Sequence, residues 1–481
     1  MEKNSLFNNY SFSDLFWDEM ITKKLEVRDH YKLLKKVFSN FSTENLNEMQ
    51  DLSNKLFVDQ GVTFTVYDDS KGTEKIFPFD IFPRIITSKE WQIIEFGIKQ
   101  RIKALNFFIK DIYHEKFIIR DGVVSPKEIF LTNNFNKEMN SLNVPHDIYT
   151  HIAGVDIIRN NDGKFYVLED NLRTPSGVSY MLENREISKR ILPGILNANN
   201  VRPVMDYPLT LYNKLKSLSK KNNPNIVLLT PGIFNSAYYE HSTLARLMGV
   251  ELVEGQDLVV KDNFVFMKNA GGLKKVDIIY RRIDDFFLDP LVYNSDSILG
   301  VASIMSAYRK GNVILVNAPG CGIADDKAIY RYVPKIIKYY LNEEPILDNI
   351  ETYALSDPDQ LDYVLKNITD MVIKKTDSSG GYGMLISRFE NEKKIKSYIN
   401  KVKKNPENYV AQNTLSLSTS PCYIDEGFSP RCIDLRPFAL VGSDGIDVSP
   451  GGLTRVALKK GSLVVNSSQG GGSKDTWVLY N

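Results

Sequence analysis

Cysteine is scarce in this chain of 481 residues. The three that occur, Cys321, Cys422 and Cys432, show no CxxC spacing and are too few to form a disulfide framework. This scarcity is typical of proteins that keep their thiols reduced. We therefore expect a cytoplasmic protein without structural disulfides.

Long apolar runs and an excess of charge of one sign are also missing. The first residues lack the apolar core of a signal peptide, and no uninterrupted apolar stretch reaches the length of a membrane span. The 60 basic and 59 acidic residues give a formal net charge of +1, which provides no general attraction to nucleic acid or anionic membranes. We expect neither as a partner, and the sequence leaves the oligomeric state open.

What is present is the composition of an ordinary globular protein, with 43% hydrophobic and 25% charged residues. The length exceeds what one core requires, so two or three domains are expected. The segments that we predict are a helical region at 1–60, a hairpin-bearing segment at 61–200, a small parallel α/β domain at 222–322, and a mixed region at 323–481. The fold class that this indicates is α/β (α+β).

Local patterns predict several individual elements. Trp91, Ile94 and Ile98 begin a series of apolar residues at three- and four-residue steps, which predicts an amphipathic helix at about 88–113. The proline-containing sequence FPFDIFPR, residues 77–84, predicts a loop. Short apolar strands that alternate with helices predict the parallel sheet of the α/β domain.

The segment GVDIIRNNDGKFYVLEDNLRTPSG, residues 154–177, predicts a β-hairpin. Asp162 and Gly163 form a strong signal for a two-residue turn. If those two residues are the loop, counting outward places Asp156 directly opposite Glu169.

This register brings oxygen-bearing side chains together. Glu169 and Asn171 are two residues apart and share a face of the strand, on which Asp156 also lies. Two carboxylates and an amide suit Mg²⁺, which takes oxygen ligands and commonly shares them with substrate phosphates. A solvated hairpin with acidic residues on its wet face would have the same spacing.

A glycine-rich turn follows a strand in MVIKKTDSSGGYGML, residues 371–385. Glycines let backbone N–H groups approach phosphate oxygens closely, and Lys374 at the strand end could reach the phosphates. No GK[ST] closes the loop, so it is not a Walker A motif. By itself the pattern fits a flexible turn equally well.

Charged residues also occur near the strand ends of the α/β domain. Glu240 and a neighbouring histidine could face a substrate or form a structural helix face. The sequence RRIDD, residues 281–285, indicates either a salt-bridge network or a substrate wall.

The D-x12-E-x-N hairpin resembles the metal-binding end of ATP-grasp enzymes such as D-alanine–D-alanine ligase. There an Asp, a Glu and an Asn bind two Mg²⁺ ions that bridge the phosphates of ATP. The resemblance implies that Asp156, Glu169 and Asn171 are metal ligands. It also implies that Arg173 contacts phosphate or substrate.

Other motifs extend the resemblance to nucleotide binding. ADDKAIYRY (324–332) resembles the DK element, whose lysine touches phosphate, and YVAQNTL (409–415) resembles the hinge strand whose main chain holds adenine. Gln412 stands where many relatives carry Glu. The implied nucleotide-binding residues are Lys327, Lys374, Ser379, Gly380, Gly381, Tyr382, Gly383 and Gln412.

Two further motifs imply catalytic residues. RCIDLRPFALVGSDG (431–445) resembles the D-I-R strand of RimK-type ligases, which makes Arg436 a candidate for stabilising the transferring phosphoryl group, with Arg455 as a second. LVVNSSQGGGSKDTW (463–477) resembles the Asn-Gly-Gly segment that lines the acceptor site in glutathione synthetase relatives. Asn466 and the glycines at 470–472 have that position.

The order of these motifs is unusual, because the metal hairpin precedes the α/β domain and the nucleotide-binding motifs. An ordinary ATP-grasp chain ends with the hairpin. The sequence therefore resembles the circularly permuted ATP-grasp proteins that are grouped with glutathionylspermidine synthase-like sequences, from about residue 12 onward. The resemblance implies a circularly permuted ATP-grasp fold with a pre-ATP-grasp α/β domain and a helical N-terminal region.

The activity that the resemblance implies is ATP-dependent joining of a carboxylate to an amine through an acyl phosphate, with ATP and Mg²⁺ as cofactors. The expected partners are small-molecule or peptide acids and amines, whose identities the sequence leaves open. Two alternatives remain: a non-catalytic nucleotide-binding scaffold, and a phosphotransferase that uses the same site.

Overall fold

The structure is a computed structural model that describes residues 6–7, 10, 13, 15–65, 74–376, 384–457, 461–462, 465 and 471–481. Within these ranges, none of the helices combines the length and the apolar character that crossing a membrane requires. The predicted nucleotide-binding residues from Ser379 to Gly383, and Asn466, lie outside the described residues.

The helices begin and end largely where periodicity and capping residues predict. α3 spans Ser88–Tyr113, and the Thr87 hydroxyl accepts a hydrogen bond from the Glu90 N–H while the Glu90 carboxylate accepts one from the Thr87 N–H. The described helices are α1 (Lys32–Phe38), α2 (Thr43–Asp59), α3 (Ser88–Tyr113), α4 (Phe117–Arg120), α5 (Pro126–Phe130), α6 (Val178–Ile191), α7 (Ile195–Ala198), α8 (Tyr207–Ser217), α9 (Tyr238–Met248), α10 (Asp285–Leu288), α11 (Ile304–Arg309), α12 (Lys327–Tyr330), α13 (Val333–Leu341), α14 (Pro358–Lys366) and α15 (Glu392–Lys404).

The strands are numbered in chain order and form five sheets among the described residues. The described strands are β1 (Thr63–Thr65), β2 (Glu74–Ile76), β3 (Phe79–Ile86), β4 (Ile152–Arg159), β5 (Phe165–Asn171), β6 (Ile226–Leu229), β7 (Glu251–Val253), β8 (Leu258–Lys261), β9 (Phe264–Asn269), β10 (Gly272–Lys275), β11 (Ile278–Arg281), β12 (Ile314–Val316), β13 (Asp348–Asn349), β14 (Thr352–Ala354), β15 (Met371–Lys375), β16 (Leu385–Ile386), β17 (Tyr409–Asn413), β18 (Thr419–Ile424), β19 (Gly427–Arg436), β20 (Phe438–Gly442), β21 (Gly445–Val448), β22 (Leu453–Val456) and β23 (Gly472–Val478).

Three of these sheets surround the candidate site. A ten-stranded sheet runs β13-β5-β4-β19-β22-β23-β3, and β18, β20 and β21 pair alongside this path. A parallel sheet has the order β12-β11-β6-β7, and an antiparallel sheet has the order β14-β17-β15-β16. The large sheet interleaves β3, β4 and β5 with strands from the last third of the chain. Segments 61–200 and 323–481 therefore share one sheet, whereas the division into four segments stays a prediction.

The loop predicted at residues 77–84 is wrong, because this sequence forms most of strand β3. β3 lies at the end of the large sheet and pairs in parallel with β23. The register shifts between Lys474 and Thr476, so residues 81–83, including Pro83, have no partner in the ladder. An edge strand with such an irregularity tolerates a proline, which cannot donate to a sheet.

Helix α3 packs against the hairpin strand β5 through a buried ion pair. The Arg101 guanidinium donates from Nε and Nη2 to the two carboxylate oxygens of Asp170, each at 2.7 Å, and from Nη1 to Asn349 at 2.6 Å. Both charged side chains are almost completely buried. Since Asp170 lies between Glu169 and Asn171, this pair fixes the strand that carries the predicted metal ligands.

Replacing Arg101 by methionine should destabilise the protein by about 3–5 kcal/mol, because Asp170 would stay buried without a counter-ion. The matched control is Lys99→Met in the same helix, which breaks a half-exposed pair with Glu95 and should cost less than about 1 kcal/mol. Urea unfolding monitored by circular dichroism measures both. Equal losses in the two variants would contradict a structural role for the buried pair.

Candidate functional site

The metal hairpin pairs Asp156 with Glu169 as predicted, but its loop is longer than predicted and a bulge restores the pairing. Gly163 donates its N–H to the Asn160 carbonyl and has φ of 80°, so the loop has three residues and not the predicted two. This would place Asp156 opposite Leu168. A β-bulge between the pairs of Ile157 and Asp156 shifts the register by one residue, and Asp156 pairs with Glu169 as predicted.

Asp156 lies at the centre of a buried ion network. Its carboxylate accepts two hydrogen bonds from Arg436, Nε to Oδ1 at 2.5 Å and Nη2 to Oδ2 at 2.8 Å, and one from Arg455 Nη2 at 2.7 Å. Burial alone would raise the pKa of Asp156, but the two guanidinium groups hold it well below its usual range. Asp156 is therefore ionised, and it orients both predicted catalytic arginines.

Arg455 is also held by a second carboxylate that the sequence analysis did not select. Asp434 and Arg455 are direct partners across β19 and β22, and Arg455 Nε donates to Asp434 Oδ1 at 2.9 Å. Burial raises the pKa of Asp434, an effect that Arg455 opposes. The D-I-R motif contained the signal, since its aspartate is two residues from Arg436 and points to the same face.

Glu169 and Asn171 have oxygen atoms with lone pairs that could bind a cation. The nearest cationic groups to Glu169 are Lys327 at 3.9 Å and Arg436 at 4.0 Å, both beyond hydrogen-bonding distance. The Asn171 Nδ2 atom is buried and makes no hydrogen bond within the described part of the chain. Turning the amide over would present its oxygen instead. These two residues fit a Mg²⁺ ion, with Asp156 contributing a remaining lone pair.

The predicted set contains two carboxylates and an amide rather than a cluster of acids or histidines. Accordingly, no group of three or more His, Cys, Asp and Glu side chains suited to a metal occurs among the residues that the structure describes. A set of this size is consistent with Mg²⁺ that takes its other ligands from phosphates and water.

Two predicted phosphate-binding lysines lie close to the hairpin acids and come from other elements. Lys327 is the first residue of α12, and Lys374 lies on β15 with its Nζ donating to Gln412 Oε1 at 2.7 Å. Burial and the neighbouring Lys327 lower the pKa of Lys374 to about 8, against the opposing effect of Glu169. The hairpin acids and the two lysines are thus close enough to interact.

The adenine contact predicted for the main chain of residues 409–412 needs correction. β17 is an interior strand that pairs with β14 on one side and β15 on the other. Its backbone N–H and C=O groups already form hydrogen bonds within the sheet and cannot also pair with a base. The Gln412 side chain instead bridges Lys374 and Thr352, whose hydroxyl accepts from Nε2 at 3.0 Å.

Arg173 lies just beyond the hairpin and is tied to the α/β region. Its Nε donates to Asp325 at 2.7 Å and its Nη1 to Asp284 at 3.2 Å. With the Arg281–Asp285 pair at 2.7 Å, these contacts identify the charged cluster as a salt-bridge network. Arg173 remains partly exposed, so it retains the access that a substrate contact needs.

Asn317 is a further residue that holds parts of the site together, and the sequence analysis did not select it. Its side-chain oxygen accepts from the N–H groups of His151 and Ile152, at 2.7 and 2.8 Å, and its nitrogen donates to the Leu172 carbonyl at 2.7 Å. It thereby joins the start of β4 to the chain that leaves β5. The available signal was an asparagine directly after the buried strand NVILV.

The fold and the site together define an ATP-grasp protein, and comparisons with known proteins agree. The family model for circularly permuted ATP-grasp type 2 matches residues 83–457, so the chain belongs to that family. Membership makes it an ATP-dependent ligase in general terms.

Similar proteins cover most of the chain. An uncharacterised protein from Synechocystis sp. is 47% identical over 466 residues, which are 96% of this chain and 97% of the relative. One from Mycobacterium tuberculosis is 45% identical over 479 residues, 98% of this chain and 86% of the relative. A Frankia alni protein with the provisional name glutamate–cysteine ligase 2-3 is 36% identical over 467 residues, 96% of this chain but 54% of that protein.

A solved structure resembles the whole chain. It is the apo form of a glutathione synthetase-like effector from Globodera pallida, with a TM-score of 0.57 and 10% identity, and the match covers 92% of this chain and 98% of that one. At this identity the likeness shows the fold alone.

The pH dependence of stability should reflect the buried His151 next to Asn317. Burial lowers the pKa of His151 to about 4, below the value of about 6.5 of an unfolded histidine. Between these values the unfolded state binds the extra proton, so stability falls as the pH falls from 6.5 towards 4. In His151→Gln, the loss of unfolding free energy between pH 7.5 and 5.5 should be smaller than in the wild type by roughly 1 kcal/mol.

Urea titrations at the two pH values measure this difference. An unchanged pH dependence in the variant would contradict the assignment of a neutral, buried His151.

Proposed function

We propose that the chain is an ADP-forming carboxylate–amine ligase that makes an amide or peptide bond through an acyl phosphate. The observation that carries the proposal is that the hairpin residues and two lysines lie close together although they come from distant parts of the chain. The hairpin residues are Asp156, Glu169 and Asn171, and the lysines are Lys327 and Lys374. Oxygen ligands beside lysines are what a magnesium-bound nucleotide requires.

The charge balance of the cleft supports nucleotide binding. Three carboxylates, those of Asp156, Glu169 and Asp434, interact with a larger set of cations. The cations are Lys327, Lys374, Arg436 and Arg455. The surplus positive charge suits a polyphosphate, and Mg²⁺ bound with it would neutralise charge that develops on the transferring phosphoryl group.

Each side chain has a role in this proposal. Lys327 and Lys374 bind phosphates as point charges, and Arg436 and Arg455 stabilise the phosphoryl group during transfer. Arg173 contacts the acid substrate. Residues 379–383 bind phosphates through their backbone and Asn466 lines the acceptor site, as the family resemblance implies.

The proposed reaction has two steps. The substrate carboxylate attacks the γ-phosphate and forms an acyl phosphate with release of ADP. The amine then attacks the acyl carbon, phosphate leaves, and an amide remains. Because water would hydrolyse the acyl phosphate, the cleft must close during the reaction.

Two alternatives use the same cleft. A non-catalytic scaffold would bind ATP without turnover, and the ionised Asp156 with its paired arginines disfavours it, since binding alone needs no such network. A phosphotransferase would release a stable phosphoester instead of an amide and inorganic phosphate.

Lys374→Ala should lower ATP turnover by at least about 10²-fold, because a charge next to the transferring phosphoryl group is lost. Lys375→Ala is the matched control, since Lys375 is adjacent, exposed and on the opposite face of β15. A coupled assay of ADP release measures both. Full turnover in Lys374→Ala, or equal losses in the two variants, would refute the assignment of this cleft.

A screen of acids and amines should reveal amine-stimulated release of ADP and phosphate in equal amounts. Amino acids, small peptides and polyamines are the first candidates, and the name of the Frankia relative adds glutamate with cysteine. Mass spectrometry identifies the product, and hydroxylamine should trap the acyl phosphate as a hydroxamate when the amine is omitted.

A product that retains phosphate would favour the phosphotransferase. ATP binding without turnover for every combination of acid and amine would favour the non-catalytic scaffold.

A further inference from the structure

The chain that leaves the metal hairpin is held by three side chains from the parallel α/β region, two that follow strands and one on a helix. We call residues 172–179, which comprise the connection from β5 and the first two residues of α6, the strap. Asn317 follows β12, Arg282 follows β11, and Glu240 lies on α9, the helix after β6. Each of these side chains is buried and bonds to a different part of the strap.

The contacts cover the strap from end to end. Asn317 donates to the carbonyls of Leu172 and Arg173, at 2.7 and 3.1 Å. Arg282 donates from Nη1 to the Pro175 carbonyl at 2.6 Å and from Nη2 to the Ser176 hydroxyl at 2.5 Å.

Glu240 holds the final part of the strap. Its Oε2 accepts from the Gly177 N–H at 2.7 Å and from the Ser179 N–H at 3.2 Å, and its Oε1 accepts from Arg282 Nη2 at 3.1 Å. The carboxylate is completely buried and lies at the N-terminal end of α6, where the helix dipole favours negative charge.

The opposite side of the strap contacts the site. Arg436 Nη1 donates to the Ser176 carbonyl at 3.1 Å, and the same guanidinium holds both oxygens of Asp156. Asn171 directly precedes the strap. A displacement of residues 175–177 would therefore change the position of Arg436 relative to Asp156.

Burying a carboxylate and a guanidinium is expensive, and apolar side chains of similar size often stabilise a fold as well or better. What the ionic pair adds here is a fixed geometry, because Glu240 and Arg282 together bond to four residues of the strap. These are Pro175, Ser176, Gly177 and Ser179. This is the geometry expected of a support for a reactive arginine.

We propose that Glu240 is a positioning residue, which acts through Arg282 and the strap to hold Arg436 in place for phosphoryl transfer. The inference rests on the proposed function and concerns a residue that touches neither nucleotide nor metal in it. Lys327 and Lys374 are not among the contacts of Glu240, Arg282 and the strap, so loss of Glu240 should affect kcat and not the KM for ATP.

The test compares Glu240→Gln with Glu183→Gln. Glu183 lies on α6 and accepts from the Tyr239 hydroxyl at 2.9 Å, so the control removes a charge from a contact between the same two helices without touching the strap. Glu240→Gln should lower kcat for ADP release by about 10²-fold, since small displacements of reacting groups have effects of this size. The KM for ATP should stay within about twofold, and Glu183→Gln should match the wild type in both constants.

Hydrogen exchange supplies a readout that does not depend on a substrate. The amides of Gly177 and Ser179 should exchange at least about tenfold faster in Glu240→Gln than in Glu183→Gln, because their acceptor is weakened. The double variant Glu240→Gln, Arg282→Gln should lower kcat little more than either single change, since the two residues act as a unit.

Three results would overturn the inference while leaving the proposed function intact. These are wild-type kcat in Glu240→Gln, unchanged exchange at Gly177 and Ser179, and equal losses of kcat in Glu240→Gln and the control Glu183→Gln. Absence of ATP turnover in the wild type would be a failure of the proposed function itself, and the inference would fall with it.

Discussion

The candidate site depends on the burial of one ionised carboxylate, that of Asp156, between two arginines. A buried charge is tolerated only when it is paired and hydrogen-bonded, and Arg436 and Arg455 satisfy both oxygens of Asp156. The arginines lie on β19 and β22, whereas Asp156 lies on β4. The pairing therefore requires the hairpin to insert next to strands that come almost three hundred residues later, and Asp434 completes the network by holding Arg455 from β19.

This constraint explains why the permuted order of motifs is physically acceptable. The sheet order β5-β4-β19-β22-β23-β3 depends on which strands lie side by side and not on which loops connect them. The hairpin brings its ligands on β4 and β5 as one unit, because its two strands are joined locally. Moving that unit to an earlier place in the chain leaves every contact of Asp156 intact, provided that the connections lie outside the sheet.

The sequence predicted those features that have local causes. Helix α3 was predicted to the residue, because periodic apolar side chains and a capping threonine act within a few residues. Strand β3 was missed, since a proline rules out a central strand but not an edge strand, and edge position is decided by the whole sheet. The pairing of Asp156 with Glu169 was correct although the turn was not, because the extra loop residue is compensated by a bulge. Glu240 and Asn317 act on residues far away in sequence, so their local patterns could draw attention to them but could not identify their partners.

The presence of a neutral side chain, that of Gln412, next to Lys374 has a physical explanation. Lys374 lies close to Lys327, and this repulsion together with burial lowers its pKa to about 8. A glutamate at position 412 would form an ion pair with Lys374, raise its pKa and compete with phosphate for its charge. The amide oxygen of Gln412 orients the ammonium group with a hydrogen bond of 2.7 Å and adds no negative charge to that of the nearby Glu169. In the proposed function, a lysine that is held in place without an ion-pair partner of its own interacts strongly with an arriving polyphosphate, so the amide at this position would favour nucleotide binding.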